Sequence, residues 1–128
     1  MKRLLTTLGL AVLAAVIVAC SSGAAAQPPA SAGPVDPDAP VVVAQNNAFI
    51  PATVKVTAGK AFTLSLDNKD AAPHNVAIFT DSRAAAAVSI GEIVSSKTVS
   101  QQVPVLEKGQ YFFRCDVHRE MTGTIVAE

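Results

Sequence analysis

Between Phe62 and Asp67 the chain alternates strictly: Phe62, Leu64 and Leu66 are apolar, and Thr63, Ser65 and Asp67 are polar. A period of two puts the apolar set on one face of an extended strand, whereas a helix would scatter it around the axis. A strand of this kind has one buried and one wetted face, as in an antiparallel sheet. It therefore needs both a neighbour in its sheet and a second layer to cover it.

The surrounding sequence offers both. Val41-Val42-Val43 opens a β-branched run, Asn46-Asn47 marks a turn, and Thr53-Val54-Lys55-Val56 follows Pro51 as a second run. Thr57-Ala58-Gly59-Lys60 and Asn68-Lys69-Asp70 are breaks on either side of the alternating strand. Further strands are expected over Asn75–Phe79, Val94–Val103, Tyr111–Arg114 and Thr122–Val126. Asp81–Ser89 is expected to be a loop with one helical turn, because its alanine run is too short to hold a helix alone. About seven to eight short strands within 88 residues, with no fixed repeat, predict an all-β fold, a β-sandwich.

The first 40 residues have a different character. Lys2 and Arg3 precede an apolar run from Leu4 to Ala19, which is shorter than the roughly 20 residues a membrane span needs. Residues 1–19 read as an export signal. Ile17-Val18-Ala19-Cys20 resembles the bacterial lipobox, which implies lipidation of Cys20 and a membrane anchor; an ordinary secretory signal is the alternative. Residues 20–40 carry Pro28, Pro29, Pro34, Pro37 and Pro40 among Ala, Ser and Gly, the composition of a stiffened spacer. Its reach is at most roughly 60 Å, at about 3.1 Å per residue. The expected locus is exported, periplasmic or at the cell surface, with the domain lipid-anchored to the membrane. That domain is residues 41–128.

Charge narrows the function. Eight Lys/Arg balance eight Asp/Glu over residues 41–128, so the domain lacks the basic stripe that nucleic acid requires. There is no Gly-rich phosphate loop. A Cys–His nucleophile would need an orienting third group and a substrate pocket, and the sequence offers neither, so the chain is not expected to be an enzyme.

Two strand-like runs bracket a stretch with a different chemistry, Cys115-Asp116-Val117-His118-Arg119-Glu120-Met121. Tyr111, Phe113 and Cys115 share one face of their strand, so burial of the aromatic pair points Cys115 inward. The Tyr111 hydroxyl is then placed to bond backbone across a corner. Past the signal, the chain holds one Cys (with Cys20 lipidated), one Met and two His, so no disulfide can use Cys115. Taken singly, each residue has a plain structural role: a surface histidine, a small buried thiol, a core methionine. Taken together, a thiolate, a thioether and imidazoles are soft and borderline ligands that suit copper better than calcium or magnesium, and zinc rarely recruits a thioether.

Ala72-Pro73-His74-Asn75-Val76, followed about forty residues later by Tyr-Phe-Phe-Arg-Cys-Asp-Val-His-x2-Met, resembles the cupredoxins, the small blue copper proteins. The short Cys-x2-His-x2-Met loop is similar to that of the plastocyanin and amicyanin group. The resemblance covers residues 41–128 and implies a Greek-key β-sandwich. It implies one copper ion held by His74, Cys115 and His118, with Met121 as a weak axial ligand. It also implies that Asn75 steadies the Cys115 loop, and that single electrons pass by way of His118. A binuclear copper site would need a second loop cysteine, which is absent. Many cupredoxins have proline after the second histidine, whereas this chain has Arg119-Glu120, and Glu120 is the alternative axial donor. The expected function is a type 1 copper protein carrying electrons between exported or membrane-bound redox partners, working as a monomer. The alternative is a copper-binding lipoprotein that stores or delivers copper without redox cycling.

Overall fold

The computed structural model describes residues 39–128, so the readings on residues 1–38, including the signal segment, Cys20 and most of the linker, lie outside the described residues. Nine strands form two sheets: β1 (Val41–Gln45), β2 (Ala48–Ile50), β3 (Thr53–Val56), β4 (Phe62–Asn68), β5 (Ala77–Phe79), β6 (Ala87–Ile90), β7 (Thr98–Val103), β8 (Gly109–Arg114) and β9 (Thr122–Ala127). One sheet runs β2-β1-β4-β7 and the other β3-β9-β8-β5-β6. Among the described residues no helix occurs. The β1–β4 and β3–β9 pairs are parallel and the remaining pairs antiparallel. The expected all-β sandwich is what the chain forms.

The strands beyond those expected have local causes. Asn46 and Asn47 both take positive φ, 54° and 56°, the left-handed pair that closes a two-residue hairpin. That turn folds Ala48–Ile50 back on β1 as a strand too short to show alternation. Residues 81–89 hold no helical turn. Ala84 has φ 53°, which ends any helical run, and Ala87–Ile90 joins the sheet edge beside β5. Paired backbone there satisfies donors and acceptors that a single isolated helical turn would leave open. The run expected over 94–103 is broken at Ser96 (φ 48°), whose amide and hydroxyl bond the Asp70 carbonyl. Val94 is left as an isolated bridge to His74, and β7 begins at Thr98.

Leu64 and Leu66 of β4 enter the core with Val42, Val54, Ile78, Val103, Phe113 and Ile125. The opposite face of β4 is less wet than its residues suggest. Ser65 is fully buried, and its hydroxyl pairs at 2.9 Å with that of Ser100 directly across β7. Across the two sheets, the Phe49 and Phe113 rings meet at 5.3 Å and 55°, a tilted aromatic contact between β2 and β8. The Tyr111 hydroxyl donates to the Glu107 carbonyl at 3.2 Å, the corner bond expected of it.

Phe113 has room for its ring because its partner across β8–β9 is Gly123. A Cβ on Gly123 would run into that ring and lie 2.7 Å from the Ala52 carbonyl oxygen. Gly123→Ala is therefore expected to destabilise the domain by about 1–3 kcal/mol through overpacking. An unchanged urea midpoint would contradict this packing.

Candidate metal centre

Backbone pairing brings four segments to one end of the sandwich. His74 and Val94 exchange both N–H···O bonds at 2.9 Å, which anchors the histidine just before β5. β5 lies beside β8 with Ala77 opposite Arg114, so His74 and Cys115 arrive from neighbouring strands. The Cys115 amide donates to the Met121 carbonyl and the Met121 amide to the His118 carbonyl, both at 3.0 Å. These two bonds close residues 115–121 into a tight loop between β8 and β9.

Three donor atoms converge there. The Nδ1 atoms of His74 and His118 are 3.1 Å apart, and His74 Nδ1 is 3.8 Å from Cys115 Sγ. One ligand atom from each of these three residues lies within 4.8 Å of the others. His74 and Cys115 are fully buried, while His118 is half-buried and keeps one side to solvent. Met121, 2% exposed, belongs to the same buried cluster as Cys115. Glu120, the alternative axial donor, is exposed.

Hydrogen bonds around the cluster set the chemistry of its atoms. His74 Nε2 lies 3.1 Å from Asp70 Oδ2. A carboxylate at that distance keeps the imidazole proton on Nε2 and leaves the Nδ1 lone pair facing Cys115 and His118. Asp70 is itself held by the amides of Asn47 (3.0 Å) and Asn46 (2.9 Å). Those amides, with His74 adding to them, hold its carboxyl below the usual aspartate value. The Cys115 sulfur accepts the His118 amide at 3.4 Å. Asn75 accepts the Asp116 amide on Oδ1 (2.9 Å) and donates from Nδ2 to Asp116 Oδ2 (3.1 Å) and the Gly91 carbonyl (3.2 Å). His74, Asn75, Cys115 and His118 are thus brought together by contact. Met121 joins them through its backbone and its burial.

Asp70 was not singled out from sequence. Its one sequence-level signal is an acid four residues before the histidine in Asp70-Ala71-Ala72-Pro73-His74, a spacing with no meaning outside this loop. The donor set itself is a test of fit. Two imidazole nitrogens and a sulfur with lone pairs crowded into a mostly buried pocket repel one another unless a cation or a shared proton sits among them. A soft or borderline metal ion suits these atoms.

The sequence matches the family model of the cupredoxin-like domain over residues 10–127. A comparison with curated proteins returns no match. Among solved structures, amicyanin from Paracoccus versutus (Thiobacillus versutus) is 28% identical, with a TM-score of 0.60 over 81% of this chain and 94% of that one. A mutant amicyanin in its reduced Cu(I) form at pH 4 is 26% identical, with a TM-score of 0.60 over 79% of this chain and 92% of that one. Dithionite-reduced auracyanin from the photosynthetic bacterium Roseiflexus castenholzii shares the fold at 14% identity, with a TM-score of 0.62 over 69% of this chain and 94% of that one. With its family model spanning most of the sequence, the chain belongs to the cupredoxin-like domain family.

Proposed function

We propose that the protein is a type 1 copper protein that carries single electrons between exported or membrane-bound redox partners. The observation that carries this reading is the convergence of His74, Cys115 and His118, with donor atoms within 4.8 Å of one another in a mostly buried pocket. These three would hold the ion, and Met121 would add a weak thioether donor beside them. Copper held there supplies a one-electron couple. Similarity to an amicyanin in its Cu(I) form supports copper over zinc.

The chain's part in electron transfer is to keep the donors still. His74 is fixed by its backbone bridge to Val94 and by Asp70, Cys115 by Met121 and the end of β8, and the loop by Asn75. Donors held this way resist the rearrangement that each change of oxidation state would otherwise demand. His118 is half-buried and lies among exposed Val117, Arg119 and Glu120, so its ring edge offers the short path to a partner's redox group. Residues 1–19 would export the chain, Cys20 would take a lipid, and residues 20–40 would tether a monomeric domain near the membrane. No enzymatic step is assigned to it. Storage or delivery of copper is separable by rate: an electron carrier exchanges electrons rapidly between its oxidised and reduced forms.

Cu(II) added to the purified protein is expected to produce intense visible absorption from thiolate-to-copper charge transfer, and Cys115→Ser to abolish it. A colourless one-to-one copper complex of the unaltered protein would contradict the proposal. Copper is also expected to raise the melting temperature, since a ligand that binds only the native state stabilises it. Asn75→Ala strips the Asp116 amide and the Gly91 carbonyl of a partner next to the loop. It is expected to cost about 1–3 kcal/mol in the metal-free protein, read from the urea midpoint.

A further inference from the structure

Arg114 and Asp116 flank Cys115 in sequence, and neither is needed to hold a metal ion. Asp116 is doubly engaged by Asn75, through its amide and through Oδ2. Its other carboxylate oxygen, Oδ1, lies 3.7 Å from Arg114 Nε. The Arg114 guanidinium sits 4.8 Å above the Phe79 ring, a cation–π contact that fixes it over the sheet. Its Nε is buried and makes no hydrogen bond. The two side chains are only 20% and 34% exposed, so solvent screens them less than free surface charges.

Two features of this arrangement exceed what fastening the loop requires. The Asn75 amide could be met by any neutral acceptor, yet here it meets a carboxylate one residue from the sulfur donor. The guanidinium beside it, at 3.7 Å, contributes positive charge without closing a hydrogen bond through Nε. Charges of opposite sign thus stand immediately before and after Cys115, both held in place by neighbours.

We propose that Asp116 and Arg114 form a charge couple that sets the reduction potential of the metal centre, Asp116 lowering it and Arg114 raising it. This rests on the electron-carrier reading above. The oxidised centre carries one more positive charge than the reduced one, so a nearby carboxylate favours oxidation and a nearby guanidinium opposes it. Asp70, on the far side of His74, adds negative charge but is engaged by two backbone amides. Asp116 and Arg114 act through the field at the ligands and not as ligands themselves.

The test is the midpoint potential of the copper-loaded full-length protein and of Asp116→Asn, Arg114→Gln, Arg114→Lys and the Asp116→Asn/Arg114→Gln double variant. Asp116→Asn keeps an oxygen acceptor for Asn75 and removes only the charge. It is expected to shift the Cu(II)/Cu(I) balance toward Cu(I) by on the order of ten-fold, about 59 mV upward for a one-electron couple. Arg114→Gln is expected to shift the balance several-fold the other way, Arg114→Lys to stay near the unaltered protein, and the double variant to fall between the single ones. The charge-transfer band should persist throughout. Shifts of the same sign in Asp116→Asn and Arg114→Gln, or none in either, would overturn the couple. So would Arg114→Lys behaving like Arg114→Gln, or loss of colour in Asp116→Asn, which would make these residues shape and fastening alone. A colourless unaltered protein would overturn the copper reading itself, and the couple with it.

Discussion

The structure depends on the bond from the Cys115 amide to the Met121 carbonyl, 3.0 Å long at the mouth of the β8–β9 hairpin. It turns seven residues that would otherwise be a mobile connection into a closed loop hung from two paired strands. Both strands are deep in their sheet: β8 lies between β5 and β9, and β9 between β3 and β8. Phe113 and Ile125 anchor them in the core with no exposed surface. Displacing the backbone of Cys115 therefore requires moving a strand that the whole sandwich holds.

The second fixed point, His74, is reached by a different route. It stands outside any regular strand, yet its backbone is pinned to Val94 and its ring to Asp70. Asp70 belongs to a knot of polar contacts. Its amide bonds the Asn68 side chain, its carbonyl takes the Ser96 amide and hydroxyl, and its carboxylate caps the β1–β2 turn. Asn68, 1% exposed, donates in turn to the carbonyls of Ala72 and Val94. Irregular backbone is thus held in place by satisfying its polar groups one by one. Together the two fixed points explain how a site with crowded lone pairs persists at the edge of an apolar core.

Much of this was legible in the sequence, for physical reasons. The alternation at Phe62–Asp67 and the parity of Tyr111, Phe113 and Cys115 are consequences of strand geometry alone, and the core contains Leu64, Leu66, Phe113 and Cys115. His74, Cys115 and His118 stood out because few other residues of the domain can offer a nitrogen or sulfur donor. The rest was hidden where tertiary context decides. Ala48–Ile50 and Ala87–Ile90 are strands because neighbours pair with them, with too few residues to carry a pattern. Ser65 reads as a wetted residue until Ser100 lies opposite it. Asp70, Arg114 and Asp116 carry no signal of their roles in the sequence, because nothing in a linear spacing says which carboxylate will face an imidazole or which guanidinium will settle over Phe79.

The central claim is that this sandwich holds its donors in one arrangement suited to both oxidation states of copper. X-ray absorption at the copper edge, recorded on the same protein oxidised and then reduced, tests it most directly. The account predicts one short sulfur and two nitrogen ligands in both states, with distances nearly unchanged. Loss of an imidazole in either state at neutral pH, or oxygen ligands gained on oxidation, would contradict it.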